Sequence, residues 1–178
     1  MGSLPPARRG SLCDWTPLKP PFYSGAMSND VVPVEIRELF QTPSGCAIFL
    51  GNTEKVFVIQ VEQMMGEVIA MFLRGTTKDR PLTHDLMISM LRGFNITVER
   101  VVITELRNST YFARLILQEQ NELGRKLVEI DARPSDCLAL TVALKRPLFV
   151  ATALFNQLED MSETLQRIKE NGGETEGE

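Results

Sequence analysis

Two hydrophobic periods alternate in blocks along this chain, and their order leaves few architectures open. The runs "VVPVEIREL", "CAIFL" and "KVFVIQV" have strand character and are separated by the turn signals "TPSG" and "GNTE". The pattern then becomes helical over Gln63 to Leu73, with Met64, Val68, Met71 and Phe72 on one stripe and Arg74-Gly75 as the stop. A second helix is predicted from Thr83 to about Phe94, with Leu86, Met87, Met90, Leu91 and Phe94 as its buried stripe. Three more strands follow. "ITVERVVITEL" and "TYFARLILQ" are joined by "RNS", and "RKLVEIDA" comes after the turn-like "NELG". A third helix runs from Ser135 to Lys145, carries Leu138, Leu140, Val142 and Leu144, and is stopped by Pro147. "LFVA" is a short strand, and Leu158 to Lys169 has the pattern of a terminal helix. Strands in clusters with helices between them predict an α+β fold: a single domain with a mixed or antiparallel sheet packed by three or four helices.

The ends differ from this body. The first 26 residues carry five prolines and no periodic apolar pattern. Residues 1–30 are therefore expected to be a disordered extension, and Met27 is a candidate alternative start. The domain is expected over 31–158. Residues 159–178 form a terminal helix and an acidic tail, "ENGGETEGE", expected to be disordered.

Charge narrows the function. The net charge of −4 comes largely from the end of the chain, where residues 159–178 hold seven acids and two bases. From Met27 to Leu158 there are fifteen acids and fourteen bases, without the broad excess of cations typical of a strong nucleic-acid binder. Any handling of nucleic acid then depends on a local site or a metal ion. No apolar run approaches the roughly 20 residues that cross a bilayer, so no membrane role is expected. The three cysteines, Cys13, Cys46 and Cys137, are far apart and read as free thiols of a reducing cytosol, which makes a cytoplasmic location the expectation. His84 is the only histidine, which excludes multi-histidine metal sites.

Two helix starts share a pattern. "RPLTHDL" spans Arg80 to Leu86 and "ARPSDCL" spans Ala132 to Leu138. Each has Arg-Pro, a hydroxyl residue and then an aspartate within two positions. Capping explains part of this: Thr83 and Ser135 suit N-cap positions, and Asp85 and Asp136 suit the first turn. Capping leaves the arginines and Asp131 without a role. Glu129, Asp131 and Arg133 have one parity and share a face while the chain stays extended. Asp131 is then expected beside Asp136, where two carboxylates could hold Mg²⁺ or Mn²⁺. Such an ion can activate water. Arg80 and Arg133, helped by Thr83 and Ser135, would grip phosphate, and His84 or Asp85 would move protons. The bland alternative is an Arg–Asp ion pair that fixes the strand-helix joint, with His84 a hydrogen-bonded structural residue and the methionines packed in the core or at a subunit contact.

The segments "RPLTHDLMISML", "VERVVITELRNSTYFARLIL" and "VEIDARPSDCLALTVALKRPLFV" resemble the bifunctional nuclease domain family. The likeness runs over roughly Val31 to Leu158. It implies an α+β domain that hydrolyses DNA and RNA. The residues that match the family's motifs are Arg80, Pro81, Thr83, His84, Asp85, Asp131, Arg133, Pro134, Ser135 and Asp136. One segment departs from the family pattern: Glu62 stands where glycine is usual and Met65 where glutamate is usual, with Glu67 close by. The leading expectation is a metal-dependent nuclease with catalytic His84, Asp85, Asp131 and Asp136. The alternative is a non-catalytic oligomeric module that binds an anion or a protein partner at the same helix starts, and in either reading the methionine-rich first helix and short edge strands predict a homo-oligomer.

Overall fold

The computed structural model describes residues 30–122 and 124–172. The expectations for the N-terminal extension up to Asn29 and for the end of the acidic tail lie outside the described residues.

Seven strands form a mixed sheet: β1 (Val31–Thr42), β2 (Gly45–Gly51), β3 (Val56–Val61), β4 (Ile96–Arg107), β5 (Thr110–Asn121), β6 (Gly124–Ala132) and β7 (Leu148–Ala151). Their spatial order is β3-β2-β1-β7-β4-β5-β6. The β7–β4 pair is parallel and the other pairs are antiparallel. The short strand "LFVA" thus joins the two strand clusters visible in the sequence. The β4–β5 hairpin turns at Asn108 and Ser109, both with positive φ of 48° and 61°, as the tight turn favoured by strand twist requires.

The helices are α1 (Gln63–Arg74), α2 (Thr83–Gly93), α3 (Pro134–Leu144), α4 (Thr152–Gln157) and α5 (Ser162–Gly172). The α+β, single-domain expectation holds, with five helices among the described residues instead of three or four. The extra one is α4, whose Leu154 and Phe155 complete the main core. The terminal helix starts at Ser162 rather than Leu158. Asp160 sets that start by accepting hydrogen bonds from the backbone N–H of Ser162 and of Val56.

β2 is buried along its whole length, as a strand covered on both faces must be. Cys46, Ile48 and Leu50 point into the main core, while Ala47 and Phe49 meet Leu165 and its neighbours Met161 and Ile168 in a second, smaller core. α1 seats on β2 through Gly66: a Cβ there would overlap Cys46. Small residues at such crossings let backbones approach closely.

Two expected stripes are corrected by the structure. On α1 the inward residues are Gly66 and Ile69, with Met65, Val68 and Phe72 packed beside them, and Met64 is 77% exposed. On α2 the inward residues are His84, Ile88 and Leu91, one helical row at i, i+4 and i+7. Leu86, Met87, Met90 and Phe94, expected in the core, face outward, and Phe94 is 70% exposed. On α3 the expectation holds for Leu138 and Leu140, which are fully buried, while Val142 and Leu144 are partly buried. No helix among the described residues is long and apolar enough to cross a membrane.

Candidate active site at the α2 and α3 starts

The strand-to-helix joints bring the two Arg-Pro motifs together. Pro134 occupies the first position of α3, where its missing N–H costs nothing. Arg133, not Ser135, is the N-cap residue, and on α2 the N-cap is Leu82, not Thr83; neither hydroxyl makes a side-chain cap bond. On α2 the capping falls to Asp85, whose Oδ2 accepts the Leu82 backbone N–H at 2.8 Å and the Lys78 Nζ at 2.7 Å. Burial alone would raise the Asp85 carboxyl, but these bonds and the Lys78 and His84 charges bring it below the usual carboxylate range. Asp85 is thereby committed to the helix start.

His84, in the first turn of α2, is 5% exposed. Its Nε2 lies 3.1 Å from Oδ1 of Asp136, in the first turn of α3. Arg133 closes on the same carboxylate, with Nε 2.8 Å from Oδ2 and Nη2 3.4 Å from Oδ1. Burial pushes Asp136 up, yet the hydrogen bonds from Arg133 and His84 outweigh it and leave the carboxyl below its usual range. An ionised carboxylate can only accept, so His84 Nε2 carries the hydrogen of this bond. Phe72 meets the His84 ring edge-on at 6.5 Å between centroids, and Lys78 Nζ sits 3.6 Å from the centroid of the same phenyl ring. Three helix starts converge here, since Glu62 at the N-cap of α1 also acts on the Arg133 guanidinium and, after Asp136, helps to raise its pKa.

The remaining expected residues are placed as follows. Arg80 is exposed and makes no hydrogen bond or ion pair among the described residues. Thr83 is exposed and Ser135 partly buried. Asp131 is exposed near the end of β6 and likewise has no hydrogen-bonded or ion-paired partner among the described residues. Its expected neighbour Glu129 pairs with Arg114 at 2.7 Å. Asp131 does act on the buried Cys137 thiol, which burial first and then the Asp136 and Asp131 charges push up to about 12. Of the two residues near the family's missing glutamate, Glu62 faces the site through Arg133. Glu67 is exposed, with Gln63 bonded to it, and Met65 packs on the core. The sequence reading missed Lys78 and Phe72, which lie in the connection and helix just before the first Arg-Pro motif.

Among the described residues no group of three or more His, Cys, Asp or Glu side chains could hold a metal ion. The donor chemistry agrees with this. Arg133 and His84 already bond the Asp136 oxygens, so a divalent cation there would compete with them. A divalent cation held by Asp131 and Asp136 would have to displace Arg133 from Asp136.

Over 107 residues the chain is 28% identical to the uncharacterized protein Rv1829 of Mycobacterium tuberculosis (strain ATCC 25618 / H37Rv). It is equally similar to the uncharacterized protein MT1877 of the strain CDC 1551 / Oshkosh. The aligned stretch is 60% of this chain and 61% of each relative, so less than two thirds of their length is matched. Residues 48–162, from β2 through both Arg-Pro motifs to the start of α5, match the family model of the bifunctional nuclease domain. That match covers more than half of the sequence, and the chain belongs to the bifunctional nuclease domain family.

Proposed function

We propose that this protein hydrolyses phosphodiester bonds of nucleic acid at the junction of the α2 and α3 starts. The observation that carries the reading is the His84–Asp136–Arg133 chain, built from both Arg-Pro motifs in a member of a nuclease family. Asp136 holds the imidazole by Nε2 and leaves Nδ1 to take a proton from the attacking water. Arg80 has its whole guanidinium free of partners among the described residues, and Arg133 keeps donors beyond the two that Asp136 uses. Both oppose the charge that builds on the phosphate oxygens. Thr83 and Ser135, at the first and second helical positions, add hydroxyl donors.

The divalent-cation form of this reading takes Asp131 and Asp136 as ligands. It requires Arg133 to leave Asp136 first. The reading preferred here works without that step. A nuclease assay on highly purified protein tests both forms, with single-stranded DNA and RNA substrates, with and without EDTA, beside His84→Asn, Asp136→Asn and Asp131→Asn. Cleavage that resists EDTA and is lost in His84→Asn is expected. Cleavage lost with EDTA and in Asp131→Asn favours the metal form. Cleavage that persists in all three variants comes from a contaminant and refutes the assignment.

A second reading is favoured by the outward apolar row of Leu86, Met90 and Phe94 on α2. Patches of this kind mark association surfaces, and in this reading the chain is a homo-oligomeric module that uses the same helix starts to bind an anion or a protein partner. Light scattering of the parent and of Met90→Glu tests it: a monomer mass for the parent at tens of micromolar removes the self-association.

A further inference from the structure

α2 and α3 run side by side in the same direction. His84 meets Asp136 near their starts, and Ile88 and Leu91 share a cleft with Ala143 and Leu144 near their ends. That cleft has a volume of about 250 Å³ and continues into the beginning of β4. Its floor is aliphatic, from Ile88, Leu91 and Val98, and its rim carries three cations, Arg92, Lys145 and Arg146. No acid lines it. None of the three cations makes a side-chain hydrogen bond or ion pair among the described residues.

Cations at helix ends have an ordinary use. Arg92 lies in the last turn of α2 and Lys145 is the C-cap of α3, where positive charge offsets exposed carbonyls. That role needs neither a cleft nor Arg146, whose backbone already turns back to bond Thr141. Three unpaired cations over an apolar floor match a ligand with anionic groups and a flat, partly apolar body. Nucleotides of a single strand have this chemistry, with phosphates for the rim and bases for the floor.

Position selects the strand over a free nucleotide. Arg92 is eight residues beyond His84 on one helix, which at about 1.5 Å per residue puts the cleft roughly 12 Å from the candidate catalytic ring. At about 3.4 Å of rise per phosphate in one stacked strand, that is a displacement of about three to four nucleotides. We infer that the cleft between the ends of α2 and α3 is a binding site for the flanking nucleotides of a single-stranded substrate, held by Arg92, Lys145 and Arg146, about three to four nucleotides from the bond that is cut. This deepens the proposed hydrolysis and rests on it for the second end of the strand.

Fluorescence anisotropy with 5′-labelled oligothymidylate and oligouridylate tests the site, using dinucleotides and octanucleotides on the full chain carrying His84→Asn as the parent, so that the strands stay uncut. The variants are Arg92→Gln/Arg146→Gln and, to keep the charge, Arg92→Lys/Arg146→Lys. Melting temperatures monitor folding. The glutamine pair should weaken octamer binding at least tenfold while dinucleotide binding stays constant. It should also reduce the slope of log affinity against log salt by about 1.4, the value for two lost phosphate contacts on a single strand. The lysine pair should restore most of the affinity. Equal octamer binding by parent and glutamine pair, or no octamer binding by the parent, overturns the inference. The two proposals fail separately. Octamer binding that needs the cleft, without any His84-dependent cleavage, leaves the strand site and removes hydrolysis. His84-dependent cleavage that ignores the glutamine pair leaves hydrolysis and removes the strand site.

Discussion

Replacing Asp136 by alanine removes the acceptor that joins α2 to α3. The His84 Nε2–H, in a side chain 7% exposed, then loses its acceptor. A hydrogen bond to a charged group contributes about 1.5–3 kcal/mol, and a buried donor left without an acceptor costs a similar amount for the same event. Asp136 retains 27% of its side-chain exposure, so water recovers part of the loss and the lower half applies, about 1.5–2 kcal/mol. In a domain of this size that lowers the melting temperature by about 3–8 °C. Urea unfolding of parent, Asp136→Ala, His84→Phe and the double variant isolates the pair, because phenylalanine keeps a ring in place but cannot donate. The coupling should exceed about 1 kcal/mol, as expected for residues in direct contact. Coupling below about 0.5 kcal/mol would mean that His84 and Asp136 do not pair in solution, and the proposed proton-transfer site would lose its anchor.

Other outcomes follow from the packing and the charges. Leu140 is 1% exposed, so Leu140→Ala should cost about 2–5 kcal/mol by urea unfolding; an unchanged midpoint would contradict its place in the core. Gly66→Ala drives a methyl group into Cys46, whose Sγ would lie 2.7 Å away, and should cost about 1–3 kcal/mol or more by overpacking; a parent-like melting curve would mean that α1 does not seat on β2. Asp85 and Asp136 are both held below the usual carboxylate range. Their contribution is therefore complete above the unfolded value of about 3.9 and disappears as pH falls through the folded values. Urea midpoints should be insensitive to these two groups from pH 7 to 5 and drop below about pH 4, and Asp136→Asn should show a smaller acid drop than the parent; an equal drop would remove Asp136 as a cause.

Much of the fold was legible because strand period, turn residues and proline positions act locally. "RNS" makes the β4–β5 turn, Pro147 follows the end of α3, and "LFVA" forms a strand. The inward faces of α1 and α2 were not legible, for a physical reason. Hydrophobicity marks which residues prefer burial, but the row that faces the sheet is set by where the backbone can approach and which polar groups find partners. Gly66 fits under Cys46, so α1 turns that row inward and leaves Met64 outside. On α2 the partner is Asp136: His84 gains an ionised acceptor only by facing α3, and Ile88 and Leu91 follow it one and two turns later. Leu86, Met90 and Phe94 are then left to face outward, although they are the more hydrophobic set.

The site was half legible for a related reason. The repeated Arg-Pro motifs marked both helix starts, and the first turns are where the structure puts His84, Asp85 and Asp136. Sequence spacing suggested pairs within each motif, His84 with Asp85 and Asp131 with Asp136. The fold makes the decisive pair across the motifs, 52 positions apart. Local pairing also loses on chemistry. Asp85 is more useful to α2 as the acceptor of the Leu82 N–H, because a helix start must satisfy its free backbone donors. Asp131, at the end of an edge strand, is left in solvent with no cation to hold it. Asp136, partly buried beside Arg133 and His84, is the one carboxylate of the three whose charge is stabilised by a side chain from each motif. A carboxylate held in that way orients an imidazole and stays ionised while the ring exchanges a proton. The proposed His84–Asp136 proton relay, set beside the Asp131–Asp136 metal pair, therefore rests on where the two arginine-proline turns place their side chains.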